Sequence, residues 1–238
     1  MPRVRRSAAQ SRCAKLSRDV QPRFAIVTAR GAALLVVLFT FMLAASSAAG
    51  APLDARPIVA RLAREAPSSI AFTEARFSAL LREPLIVSGT LGYLGPGSLE
   101  RRVTHPYVET TTIRGDSVRI ERDGEGARTF GLKRVPELNG FVAAFLGLLA
   151  GDATQLEQEF VLSATGDAGS WQIELAPKEA RARRRLRSVL VSGHGSEPRC
   201  FAVLDTQGGG SVILVGASSV PLDADVALDS LLARCRAE

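Results

Sequence analysis

The chain has 238 residues and a formal net charge of +6, which on its own would suit an anionic partner such as nucleic acid. Eight of its 30 basic residues but only one of its 24 acidic residues precede Pro52, so the remainder carries 22 basic and 23 acidic residues. A near-neutral remainder lacks the field that drives non-specific nucleic-acid binding, so nucleic acid is excluded as the expected partner.

The first predicted element is a targeting segment. Arg30 precedes an apolar run from Ala32 to Ala45, and small residues follow. The run is too short to span a bilayer. Ser47-Ala48-Ala49 or Ala49-Gly50-Ala51 supplies a small-x-small cleavage site. Residues 1–51 are read as an N-terminal extension with a cleaved signal peptide, and residues 52–238 as a single exported domain. An uncleaved anchor is the competing reading. Export suits the cysteines: Cys13 leaves with the leader, and Cys200 and Cys235 remain as an even pair for an oxidising compartment, which allows a bridge between them.

In "LDARPIVARLAREAP", Ile58, Val59 and Leu62 fall at helical spacing before Pro67, which predicts a short amphipathic helix. Strand signals then dominate. In "AFTEARFSALL", Thr73, Ala75, Phe77, Ala79 and Leu81 share one face, and Glu74, Arg76 and Ser78 the other. "LIVSGTLGYL", "SLERRV", "YVETTTIR", "SVRIER" and "ARTFGLK" continue the pattern between Gly-, Pro- and Asp-rich turns. Five more strand-like runs lie between "FVLSA" and "GSVILVGASSV". "DADVALDSLLARC", with Asp223 near its start, predicts a closing helix. The expected fold is mainly β with α: about eleven antiparallel strands in a sheet that curls into an incomplete barrel.

Between the two groups of strands lies "ELNGFVAAFLGLLAGD". Leu138, Phe141, Val142, Phe145, Leu148 and Leu149 follow the i, i+3, i+4, i+7 pattern. Ala143, Ala144 and Leu146 spread the apolar surface round the cylinder, and Gly151 stops it. Two readings are open: a core helix packed on the sheet, or a lid over a hydrophobic hollow.

No G-x-S-x-G, H-E-x-x-H or P-loop pattern occurs, and His105 and His194 read as loop residues, so no catalytic residue, metal or cofactor is expected. Arg114-Gly115-Asp116 is a hairpin turn. In "KEARARRRLR", the arginines Arg181, Arg183, Arg184 and Arg185 are either a solvated edge or a docking patch for anionic headgroups or an acidic partner.

Several features, in order, resemble the LolA family of periplasmic lipoprotein carriers. Phe72-Thr73-Glu74 opens the first strand. Gly89-x-Leu91-x-Tyr93 and the Gly95-Pro96 turn follow, then Pro106, the turn at Arg114–Asp116, and an Asp-x-x-Gly turn in "VLDTQGGG". The resemblance runs from Asp54 to Val220. It implies an incomplete barrel with a helical lid and a cavity for acyl chains. It also implies a periplasmic monomer that takes an acyl chain, lipoprotein or polyene-type lipid from an inner-membrane donor to an outer-membrane acceptor. The expected cavity and lid residues are Phe77, Leu91, Val118, Ile120, Leu138, Phe141, Val142, Phe145, Leu149 and Trp171. A lipid-sensing module that signals to a membrane partner is the alternative function. In the family an arginine precedes the turn proline and holds the lid; here Gly95 stands there, so lid control must differ.

N-terminal sequencing of the exported protein is expected to begin between Gly50 and Pro52. An intact leader in the membrane fraction would refute cleavage.

Overall fold

The computed structural model describes residues 53–237 apart from Ala168. The expected leader, its cleavage site and Cys13 lie outside the described residues. Helix α1 (Ala55–Arg61) is capped by Asp54, whose carboxylate accepts the Arg56 N–H at 3.0 Å. Its apolar spacing buries Ile58, Val59 and Leu62. A six-strand meander follows: β1 (Ser68–Phe77), β2 (Leu85–Gly95), β3 (Ser98–His105), β4 (Glu109–Arg114), β5 (Ser117–Arg122) and β6 (Arg128–Gly131). Two helices, α2 (Pro136–Ala150) and α3 (Ala153–Glu159), lead into a second meander. That meander is β7 (Phe160–Gly166), β8 (Ser170–Pro177), β9 (Leu186–His194), β10 (Glu197–Asp205) and β11 (Gly210–Val215), and helix α4 (Leu228–Ala237) ends the described chain.

All 11 strands form one open antiparallel sheet in the order β6-β5-β4-β3-β2-β1-β11-β10-β9-β8-β7. The two meanders are joined at the β1–β11 seam, where Phe72 pairs with Val215 and Phe77 with Gly210. Strands β6 and β7 are consecutive in the chain, yet they are the two edges of the sheet. Laid flat, ten inter-strand steps of about 4.8 Å would separate those edges by roughly 48 Å. A 15-residue α2 spans only about 22 Å. The sheet curls, and the α2–α3 connection crosses its inner face, where residues of α1, α2 and α3 share one core with strands of both meanders. Gly89 permits a close approach within the curl: a Cβ there would lie 1.8 Å from the Arg102 carbonyl oxygen, beside the irregularity in β2–β3 pairing.

Each face of the sheet has its own core. The inner face gathers Phe72, Leu91, Val103, Val118, Ile173, Leu175, Val189 and Phe201 with residues of α1, α2 and α3. The outer face packs Ala75, Ala202, Leu204, Val212 and Leu214 beneath Leu231 and Cys235 of α4. Cys235 is bridged to Cys200 on β10, with the two Cα atoms 5.6 Å apart.

Two expectations need correction here. The closing helix begins at Leu228, because residues 223–226 form a turn in which the Val226 N–H donates to the Asp223 carbonyl. The first strand ends at Phe77, so Ala79 and Leu81 belong to the loop that follows, where Leu80 is 94% exposed.

The Cys200–Cys235 bridge closes 35 residues, for which chain entropy predicts roughly 3–4 kcal/mol of stabilisation. Urea unfolding of the Cys235→Ser variant should show a loss of about that size. An unchanged midpoint would show that α4 is held by packing alone.

Candidate functional site

Helix α2 is built to lie across the curl. Val135 precedes it without a side-chain cap. Gly151 ends it at φ 67°, and the Asp152 N–H returns to the Gly147 carbonyl at 3.2 Å. Such a left-handed C-terminal turn suits glycine, which has no Cβ to clash. Val142, Ala144, Phe145 and Leu148 are buried, and Leu138, Phe141, Leu146 and Leu149 are partly buried against the same core. The Phe145 ring stacks on Phe141 at 5.5 Å and meets Phe201 of β10 at 5.2 Å.

Among the described residues two mostly apolar hollows lie between α2 and the inner face of the sheet. The larger, about 440 Å³, lies under the N-terminal half of α2; its apolar wall includes Phe72, Leu91, Ile120, Leu138, Phe141 and Ile213. The smaller, about 240 Å³, lies under the C-terminal half and is lined by Ile70, Leu91, Tyr93, Phe145, Leu149 and Phe201 among others.

Of the residues expected in the cavity, Leu91, Ile120, Leu138 and Phe141 line the larger hollow, and Leu91, Phe145 and Leu149 line the smaller. Val118, Val142 and Trp171 are buried in the inner core but line neither hollow. Trp171 donates its indole N–H to the Gly195 carbonyl at 2.9 Å, which ties β8 to the β9–β10 turn. Phe77 is on the wrong face. It packs with the outer core, because both faces of β1 are covered and residue parity alone does not say which is inner. Arg181, Arg183, Arg184 and Arg185 are exposed around a short 3-10 turn before β9, and Arg181 lines a groove of mixed polarity with Glu159 and Glu179.

The structure adds a polar cluster that sequence reading missed. Glu74 points inward from β1 and is 3% exposed. Its carboxylate accepts one hydrogen bond from Arg76 at 3.0 Å and another from Arg101. Arg101 also lies 3.7 Å from Glu109, which accepts two hydrogen bonds from Arg122, the shorter at 2.6 Å. The Arg101 guanidinium sits 5.0 Å above the Phe72 ring, a cation–π arrangement. Glu74, Arg76, Arg101, Glu109 and Thr111 all line the larger hollow. Burial pushes the Glu74 carboxyl upward, but Arg101 and Arg76 together outweigh it and hold its pKa below the ordinary carboxylate value. The signal was present: Phe72, Glu74 and Arg76 have one parity, so an inward Phe72 carries the charges inward with it.

The C-terminal end of α2 is held by backbone. The Arg64 N–H donates to the Leu149 carbonyl at 2.9 Å. The Arg64 side chain in turn reaches the Ser196 carbonyl at 2.7 Å. Among the described residues no cluster of His, Cys, Asp and Glu could hold a metal ion, and no helix is long and apolar enough to cross a membrane.

Residues 45–235 match the family model described as outer membrane lipoprotein carrier protein LolA-like. The chain belongs to this family. No curated protein matches its sequence. Among solved structures, the LolA-like chain is similar to the LolA superfamily protein NE2245 from Nitrosomonas europaea, with 13% identity, 72% of this chain and 96% of that chain covered, and a TM-score of 0.38. It is also similar to LprF from Mycobacterium bovis, with 10% identity, 74% and 98% covered, and a TM-score of 0.34. A chain of the Pseudomonas aeruginosa MucA/MucB complex matches with 12% identity, 75% and 60% covered, and a TM-score of 0.37.

Because its folded-state pKa is depressed, Glu74 stays ionised to lower pH in the folded LolA-like chain than in the unfolded chain. Its contribution to stability is complete above the ordinary glutamate value of about 4.3 and is lost as pH falls through the folded-state value. Urea midpoints measured from pH 7 downward should therefore fall less steeply in Glu74→Gln than in the parent. Replacing Arg101 by Met should cost about 3 kcal/mol at neutral pH, at the low end for a broken buried pair because Arg76 still faces Glu74.

Proposed function

We propose that this chain binds the hydrocarbon part of a lipid, lipoprotein or lipid-linked molecule beneath α2 and accompanies it through the periplasm towards the outer membrane. The reading rests on the larger hollow. Its wall is mostly apolar, and its volume of about 440 Å³ is of the size that ligand sites occupy. Its roof is a helix that is not part of the sheet, so cover and container can separate. Each methylene taken from water contributes roughly 0.8 kcal/mol, so a few carbons give useful affinity, and such a slot discriminates weakly between tails.

The two ends of α2 differ in a way that favours a lid opening from its N-terminal end. The C-terminal end is held by the Leu149–Arg64 hydrogen bond and by Gly151, where an added Cβ would lie 2.9 Å from the Ala63 side chain. The N-terminal end, above the larger hollow, starts without a side-chain cap, and its backbone tie, from the Leu132 N–H to the Asp116 carbonyl at 2.7 Å, is made by the turn before the helix and not by the helix itself. The role is binding and transfer rather than catalysis. The exposed run Arg181, Arg183, Arg184 and Arg185 is assigned to docking at an anionic membrane surface, where each charge contributes about 1 kcal/mol.

Phe141→Asp, which puts a charge into the wall of the larger hollow, should weaken binding of a fluorescent fatty acid at least tenfold. Ala150→Asp, at an exposed position on the same helix, should bind like the parent. Circular dichroism must show both variants folded. Parent-like binding by folded Phe141→Asp would make α2 an ordinary core helix.

A further inference from the structure

We infer that the larger hollow selects amphiphiles with an oxyanion headgroup, a carboxylate or a phosphate, received by Arg101 and Arg76 at its polar end; this rests on the lipid-binding reading above. Hydrocarbon binding alone does not call for charge inside the wall. An inner sheet face needing only to pack is often as stable with apolar residues in place of buried ion pairs. Here the charges are grouped, with Glu74, Arg76, Arg101 and Glu109 sharing a wall with Thr111 and Ser211, while Leu138, Phe141, Leu91 and Ile120 supply apolar surface. The hollow therefore has the two characters of an amphiphile.

The sign of the headgroup follows from the donors and the charges. A guanidinium carries five N–H donors. Arg101 gives one hydrogen bond to Glu74 and lies 3.7 Å from Glu109, and Arg76 gives one hydrogen bond to Glu74. Both arginines keep further donors. Among the described residues the fully buried side-chain polar atoms without a partner are Ser192 Oγ and Arg199 Nε, so the spare donors of Arg101 and Arg76 are not sealed inside protein. Within the wall of the hollow Glu74 and Glu109 match Arg76 and Arg101, and Arg122, which pairs with Glu109 from outside the lining, brings the cluster to one positive charge in excess. Glu125 and Arg128, which extend the network, leave that excess of one positive charge unchanged. An oxyanion neutralises the excess and accepts charge-assisted hydrogen bonds, about twice as strong as those of a neutral headgroup. A cationic headgroup would add to the excess.

The test is calorimetric titration of the delipidated, exported protein with four ligands that share a sixteen-carbon tail: hexadecanoate, hexadecyl phosphate, hexadecanol and hexadecyltrimethylammonium. Both anions should bind roughly tenfold or more tightly than the alcohol, and the ammonium most weakly. The order of the two anions tells a carboxylate source from a phosphate source. Arg101→Gln should narrow the anion-to-alcohol ratio to less than about threefold, and Glu74→Gln, which frees donors, should widen it. Should Arg101→Gln fail to fold, the parent ranking and Glu74→Gln decide the matter. Equal affinity for acid and alcohol, or a preference for the ammonium, overturns the headgroup inference and leaves lipid binding standing. No binding of any of the four overturns both.

Discussion

The two edge strands of the sheet are neighbours in the chain, and much of the structure follows from that constraint. Because β6 and β7 are consecutive, their connection has to travel from one edge to the other. A curled sheet brings those edges together under a connection whose main element is a 15-residue helix, so crossing and curling go together. The crossing helix then sees sheet on its inner side and α1 and α3 on its flanks, which is why an almost unbroken apolar sequence is tolerated there. A straight helix does not fill a curved trough, and the hollows are what is left over.

Charge inside the curl gives the space a polarity. Glu74 and Arg101 come from strands separated by β2, and Glu109 from the strand after Arg101, so one ladder of ion pairs spans β1 to β4 across the inner face. Paired buried charge is a weak source of stability. On the proposed reading, its place beside Phe72 and Leu91 serves what enters the hollow rather than the fold.

Much of the fold was legible because its signals are local. Period-two alternation and turn residues marked the strands, and the apolar pattern from Leu138 to Leu149 with Gly151 marked α2. The site was only partly legible. Parity places Phe77 and Glu74 on opposite faces of β1 but does not say which faces inward, since α4 covers one side and α2 the other. The habit of sending phenylalanine in and glutamate out therefore inverted the strand. Trp171 and Val118, expected in the cavity wall, face inward but fill the core, because whether an inward residue lines a hollow depends on the path of α2, which periodicity does not carry. The ladder itself depends on pairs as far apart as Glu74 and Arg101, a relation set by topology alone.

Leu91 stands in the wall of both hollows, sharing one with Phe141 and the other with Phe145. It acts as a partition between two compartments of unequal size, so on the proposed reading the length of tail that can be housed and the tightness of the empty protein are settled by the same few atoms. A smaller residue there would enlarge the continuous space and, by the same loss of contact, loosen the unloaded core. Capacity and rigidity are thus traded at a single position, and a lineage adapting this scaffold to longer cargo would meet that exchange first at residue 91.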